Sequence, residues 1–311
     1  VACMGGSVNV IQDKWYDRML GLLAFGHTIG EVNNQQELLE SHIIGDPTFC
    51  FALETGIKES ETADGMVWQL TQDYWNGKAS SSKLLELLKT SPYDQVRMQA
   101  LQLLARFNNA DFVKGIAVAA EDRYEMVQRF AMNYMKFNGS EELAKPLMLT
   151  WISPSTSARV KTDARMAVEF FPKDVLQRTY NEIWPKINYV DKDSVGAKHY
   201  QIISKYGNYW EKEVDAIIAD TLSDKAFKFS ASCMRLYCPH SRIPDMMKFI
   251  KESKNDARRI TLLEAMGWYK YSYQAPAIAK AAKQLSDDSS QSEAVREEAL
   301  KTYNRITWNN R

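Results

Sequence analysis

From residue 82 onward, apolar positions recur with helical spacing in pairs of short segments separated by polar turns. One pair runs from Lys83 through Leu84, Leu85, Leu87 and Leu88, breaks at Ser91-Pro92-Tyr93-Asp94, and resumes from Val96 to Leu104. Apolar residues at i, i+3, i+4 and i+7 put one stripe on each helix, and neither short helix can cover its stripe alone. Further pairs follow the same grammar: Asp111 to Phe137, Glu141 to Phe171, Val175 to Tyr206, Trp210 to Leu236, Ile243 to Tyr271 and Ala275 to Thr307. The pattern predicts a mainly α fold, an α-solenoid of about seven helical hairpins in which each unit buries its faces on its neighbours.

The pattern before residue 82 is different. Val1-Ala2-Cys3-Met4 entering Gly5-Gly6-Ser7 reads as the last part of a buried strand, which needs strand partners, so further chain is expected to precede it. Gln12 to Phe25 follows as a helix with Trp15, Met19, Leu22 and Leu23 on one face, then the break Gly26-His27 and a second short helix from Ile29 to about Leu39. Ser41 to Ile44 leads into Gly45-Asp46-Pro47, and Thr48 to Leu53 is a short β-rich run. A helix over Thr62 to Asn76 places Met66, Leu70 and Tyr74 or Trp75 on one stripe, and Gly77 to Ser82 has linker composition. The expected organisation is a small α/β segment over 1–55, a connecting helix and linker over 56–81, and the helical repeats over 82–311.

Composition narrows the function less than the pattern narrows the fold. Lys plus Arg and Asp plus Glu number 39 each, so no net charge draws the chain toward nucleic acid or an anionic membrane. No apolar run reaches the ~20 residues that span a bilayer, and the first residues lack a basic stretch followed by an apolar one. The four cysteines are too scattered for a disulfide framework. Cys233, Cys238 and His240 lack the Cys-x-x-Cys spacing and fourth ligand of a structural zinc site, so they read as thiols at a helix end, and no metal or cofactor is expected. Arg123, Arg129, Arg159, Arg165, Arg258 and Arg259 fall near the starts of second helices and suggest a nucleic-acid-binding ridge. Glu121, Asp122, Glu125 and Asp163 lie among them, which makes ion pairs between repeats the more economical account.

The turns Asp94-Gln95-Val96-Arg97 and Ala294-Val295-Arg296 resemble those of HEAT or HEAT-like repeats. In such a turn Asp can cap the second helix, Val packs between the two helices, and Arg can reach the neighbouring unit's turn. A second resemblance covers residues 1–53. Val1 to Ser7, Thr28-Ile29-Gly30-Glu31 and Ile43-Ile44-Gly45-Asp46-Pro47-Thr48 are similar to the C-terminal end of the catalytic domain of gingipain-type cysteine peptidases, which have a caspase-like α/β fold.

That resemblance implies a catalytic His and Cys upstream of Val1. The chain is then the non-catalytic, protein-interaction or substrate-presenting C-terminal part of a larger peptidase, secreted or attached to a bacterial envelope. Its partners would be a protein or peptide and an upstream catalytic fragment of the same polypeptide. A rival reading makes this chain one active part of a nicked peptidase whose upstream fragment stays bound and completes the site; another makes Cys3 the nucleophile, and a Cys-His pair would then need His42 or His27 near Cys3 or Cys50. A third is a nucleic-acid-binding HEAT-like protein. For binding, the candidates are Trp210, Trp268, Tyr269, Tyr271 and Tyr273, because Trp268 to Tyr273 is too dense in aromatics for one helical face to bury.

Overall fold

The computed structural model describes residues 2–6, 19–34, 41–51, 56–189 and 191–307. It is mainly helical. Two strands, β1 (Ala2–Gly6) and β2 (Ser41–Gly45), flank α1 (Ile29–Asn34); then come α2 (Ala63–Trp75), α3 (Ser81–Thr90) and α4 (Asp94–Phe107). The helices α5 (Ala110–Ala120), α6 (Glu125–Asn138), α7 (Ala144–Ile152), α8 (Ala158–Ala167), α9 (Lys173–Ile183) and α10 (Lys192–Tyr206) follow. The last are α11 (Glu211–Ile218), α12 (Asp224–Tyr237), α13 (Ile243–Glu252), α14 (Asp256–Met266), α15 (Ala275–Asp287) and α16 (Glu293–Thr307). From α3 on, the helices fall where the apolar pattern places them. No helix among the described residues is long and apolar enough to cross a membrane. The chain divides into two compact units, Val1–Leu104 and Ala105–Arg311, a division that falls inside α4.

In the first unit β1 and β2 pair antiparallel, Ala2 opposite Gly45 and Gly6 opposite Ser41. The strand expected over Thr48 to Leu53 is not one: Thr48 to Phe51 are outside any strand, and the rest of the run lies outside the described residues. A tight local turn and a partner earlier in the chain explain it. Asp46 accepts from the Thr48 N–H at 2.8 Å and the Thr48 hydroxyl at 2.7 Å, folding the chain into an Asx-type turn. The carbonyls of Pro47 and Phe49 then accept from the N–H groups of Gly30 and Ile29, satisfying the exposed donors at the start of α1. Thr28 and Glu31 complete that start as a reciprocal capping box: the Glu31 N–H donates to the Thr28 hydroxyl and the Thr28 N–H to the Glu31 carboxylate. These bonds hold the Glu31 carboxyl below its ordinary pKa, the Thr28 backbone N–H foremost.

The helix expected over Gln12 to Phe25 is a 3-10 helix at Leu20–Phe25 within the described residues, with Met19 and Leu22 buried; residues 7–18 and Trp15 lie outside them. In α2 the buried stripe is Gly65, Val67, Leu70 and Thr71, so Met66 and Tyr74 stand to its side and Trp75 is exposed. Gly65 shifts the stripe: a Cβ there would meet the Glu59 carbonyl oxygen at 2.0 Å, so only glycine admits this close approach. The linker-like run is punctuation between helices. Gly77 takes a positive φ of 69° after α2, and the Ser80 hydroxyl accepts from the Lys83 N–H to cap α3.

In the second unit the helices touch in consecutive pairs from α5/α6 to α15/α16, and first helices pack on first helices and second on second: α5 on α7, α7 on α9, α6 on α8, α12 on α14, α14 on α16. Ile116, Met132, Leu147, Leu176, Met234, Ile250, Leu263 and Val295 are among the fully enclosed residues between them. The arginine of the turn motif acts inside its own hairpin. Arg97 donates to the carbonyls of Ser91 and Pro92, Arg259 to that of Ile250 and Arg296 to that of Ser286, each binding carbonyls at or just beyond the end of the first helix. Arg259 reaches the next turn as well, where it donates to the Gln291 side-chain oxygen. The capping role expected of Asp falls at this turn to Asn255, whose side chain accepts from the Arg258 N–H, while Asp256 receives Arg259 and Ser292.

Candidate interaction surface

The stretch from Trp268 to Tyr273 divides between core and surface. Tyr269 is buried: its hydroxyl donates to the Met234 carbonyl at 2.5 Å and accepts from the Cys238 N–H at 2.7 Å, at the end of α12. Ser272 is fully buried and bonds His240 Nδ1 at 2.8 Å, and His240 Nε2 meets the Lys136 carbonyl at 2.9 Å. Tyr271 is half-buried, with its ring centre 5.6 Å from Tyr134 and 6.4 Å from Phe112. Asn138 donates to the Tyr271 carbonyl and accepts from the Tyr273 N–H, and Asn108 donates to the carbonyls of Lys270 and Ser272. The loop between α14 and α15 is thereby tied to the turns after α4 and α6, more than 130 residues earlier. That contact departs from the neighbour-only packing a repeat pattern predicts.

Burial pushes the His240 imidazole down to a pKa of about 4, so it is neutral at pH 7. With Nε2–H donating to a carbonyl, Nδ1 is free to accept the Ser272 hydroxyl. A buried Ser–His pair of this kind orients no reacting group, because both members are closed off from solvent. Cys238, beside it, is also buried and its thiol is pushed far up by desolvation, the opposite of a nucleophile or metal-binding thiolate. Among the described residues no cluster of three or more His, Cys, Asp or Glu is placed to hold a metal ion.

What remains exposed of the stretch is Trp268, 58 % accessible, and Tyr273. Trp268 donates its indole N–H to Glu264 and lines an open cavity of about 510 Å³ together with Gly267, Lys270, Asn304 and Arg305. Trp210 stands elsewhere, half-buried and stacked on Tyr237 with centres 4.7 Å apart and planes 15° from parallel. It belongs to a run of rings, Tyr206, Tyr209, Trp210, Tyr237 and Phe170, each 4.7 to 6.2 Å from the next. Arg165 and Lys205 lie over the Tyr206 ring, and Lys136 lies over Phe170 and Tyr237. These contacts link the end of α8, α10 and the end of α12 through rings and cations.

Exposed large apolar side chains of the second unit follow a rule that the sequence reading missed. On helices they are Met166, Tyr200, Phe229, Leu236 and Leu300, on α8, α10, α12 and α16; the others, Tyr209, Trp268 and Tyr273, lie in the loops that follow second helices. None is on a first helix. Phe229 is 72 % and Leu236 53 % accessible, and with half-buried Cys233 they form a stripe at i, i+4 and i+7. Phe227, Ala231 and Met234 fill the core from the opposite side of the same helix. A helix apolar on two faces buries one in the core and leaves the other exposed. The signal was present in the sequence as two interleaved stripes in Phe227 to Leu236.

In the first unit the two candidate catalytic residues lie on paired strands. Backbone register sets Cys3 opposite Ile44 and His42 opposite Gly5, an offset of two positions, and His42 is exposed. His27, a further candidate base, is engaged by Glu59 at 3.1 Å and packs edge-on against Trp68. Cys50 is exposed. The arginines read as a basic ridge are largely paired: Arg129 with Asp163 at 2.7 Å between α6 and α8, and Arg258 with Asp220 at 2.5 Å and Asp224 at 3.0 Å. Comparisons with protein-family models, with curated proteins and with solved structures each find no match to this chain.

Proposed function

We propose that the chain is a protein-interaction module, a HEAT-like helical-repeat scaffold that binds a peptide or protein segment along the face formed by its second helices. The observation that carries this reading is the placement of exposed large apolar side chains on second helices and the loops after them. Desolvating Phe229 and Leu236 against a partner removes apolar surface at ~25 cal/mol per Å², the term that drives most protein association. Support for the repeat assignment comes from the pairwise helix packing and from the arginines at 97, 259 and 296, which serve one role in three hairpins. The test is selection of peptides from a display library on the intact chain, followed by titration on two variants. Binders should weaken about tenfold or more on Phe229→Ala/Leu236→Ala and stay unchanged on the first-helix control Arg178→Ala/Lys248→Ala. Equal loss on both, or loss on the control alone, would remove this face from the account.

The gingipain-type resemblance extends the proposal to the parent protein, a secreted or envelope-attached cysteine peptidase in which this chain presents substrate or docks a partner. It is favoured by one contact: two of its motif pieces, Thr28-Ile29-Gly30-Glu31 and the Ile44-Gly45-Asp46-Pro47 turn, dock on each other through Gly30 N–H to Pro47 O at 2.8 Å. Supplying the upstream segment and assaying peptide hydrolysis tests it. Activity that appears only with that segment supports the peptidase parent, and activity of this chain alone that Cys3→Ser abolishes would make Cys3 the nucleophile instead.

A further inference from the structure

The partner-binding face has a charge as well as an apolar stripe. Helices α8, α10 and α12 carry nine Lys and Arg against three Asp and Glu, three to one in each, whereas the first helices α7, α9, α11 and α13 carry six against seven. The chain as a whole is balanced, so this excess is local. Two of the three acids are already taken, Asp163 by Arg129 and Asp224 by Arg258, from helices to either side. By contrast Arg159, Lys198, Lys205, Lys225 and Lys228 are exposed and have no carboxylate partner among the described residues. Lys225 and Lys228 stand on α12 itself, the helix that carries Phe229 and Leu236.

We propose that the segment bound on this face is an acidic amphipathic helix, with Glu or Asp flanking aliphatic or aromatic anchors. The inference rests on the interaction reading above and adds the partner's chemistry. The Phe229, Cys233, Leu236 stripe repeats with the spacing by which one helix packs its ridge against another, so the matching ligand is a helix with its own apolar stripe. The unpaired cations beside the stripe supply steering and register for carboxylates. The cation-flanked ring at Tyr206 offers the same complementarity at the α8/α10 end of the surface. Nucleic acid would satisfy the cations too, but it leaves Phe229, Leu236 and Met166 without an apolar counterpart; phosphate contacts alone do not need them.

Fluorescence anisotropy on the full chain tests this with three labelled probes: a helical peptide with Leu and Phe on one face and Glu on the other, its Glu-to-Gln analogue, and a single-stranded oligonucleotide. The Glu peptide should bind, about tenfold or more tighter than the Gln analogue, with an affinity that falls as salt rises. Lys225→Glu/Lys228→Glu should weaken it by a similar factor, and Phe229→Ala/Leu236→Ala should weaken both peptides. Equal binding of the two peptides, with both still lost on Phe229→Ala/Leu236→Ala, overturns the acidic-partner inference and leaves the interaction face standing. Binding of the Glu peptide that ignores Phe229→Ala/Leu236→Ala puts the site elsewhere and overturns it too. Tighter binding of the oligonucleotide than of either peptide replaces it with a polyanion site. If the Glu peptide does not bind while display-selected peptides on this face are neutral or basic, the charge inference falls alone; if no ligand is sensitive to the face, both readings fall.

Discussion

The Trp268 to Tyr273 stretch and the α12 helix are both dense in apolar side chains, yet the first has its middle tied into the fold while the second turns a whole second stripe, from Phe229 to Leu236, toward solvent beside its core face. The difference lies in polar anchors. In the loop, Asn108, Asn138, His240 and Ser272 give the backbone and side chains partners at 2.8 to 3.2 Å, and Tyr269 and Tyr271 are drawn inward while Trp268 and Tyr273 stay exposed. On α12 no such anchors exist for Phe229 or Leu236 among the described residues, and the core is already filled by Phe227, Ala231 and Met234. Aromatic density leaves apolar surface exposed where nothing polar ties the segment into the fold.

The sharpest way to break that contrast is at Gly139, next to the loop. It adopts φ 69°, and a Cβ there would lie 2.1 Å from His240 Cδ2, so Gly139→Val should destabilise the second unit by about 4 kcal/mol or abolish folding, measured by urea unfolding. His240→Ala, which strands the Ser272 hydroxyl and the Lys136 carbonyl and leaves a void, should cost about 3 kcal/mol in the same assay. Its wild-type counterpart is acid lability. With the folded-state pKa lowered to about 4 from 6.5, the unfolded chain takes up the proton first as pH falls. The stabilisation from a neutral His240 is present above pH 6.5 and is lost between pH 6.5 and about 4. At ~1.4 kcal/mol per pKa unit, this makes unfolding easier by about 3 kcal/mol at the acid end, and His240→Ala should flatten that slope. His199, lowered to about 4 by burial and by the nearby Lys161, acts in the same direction.

The smallest effect sharpens the contrast from the other side. Phe229→Ala/Leu236→Ala removes two large apolar residues but should leave stability within about 0.5 kcal/mol of wild type per site, because neither contributes to the core. A large loss of stability would mean that these residues support the fold rather than wait for a partner.

The helical pairs were legible because their stripes repeat at i, i+3, i+4 and i+7 and their turns carry Ser, Pro, Asn and Gly, which stop helices for local reasons. The α2 stripe was misread by one position because a close backbone approach at Gly65 is invisible in periodicity. Thr48 to Phe51 failed as a strand because the carbonyls of Pro47 and Phe49 are taken by the start of α1, a partner twenty residues earlier in the chain. The turn arginines were recognisable, but their acceptor was not: sequence cannot tell the carbonyls of the same hairpin from the next turn. Least legible were Asn108, Asn138 and His240, ordinary residues whose partners lie more than a hundred residues away or in a loop that had read as surface.

Hydroxyl-radical footprinting of the intact chain, free and saturated with a display-selected peptide, tests the central claim most directly. The account predicts protection of Met166, Tyr209, Phe229 and Leu236, with the first-helix surfaces of α9, α11 and α13 unchanged. Protection confined to those first helices, or to the Trp268 cavity with Phe229 and Leu236 as reactive as before, would contradict it.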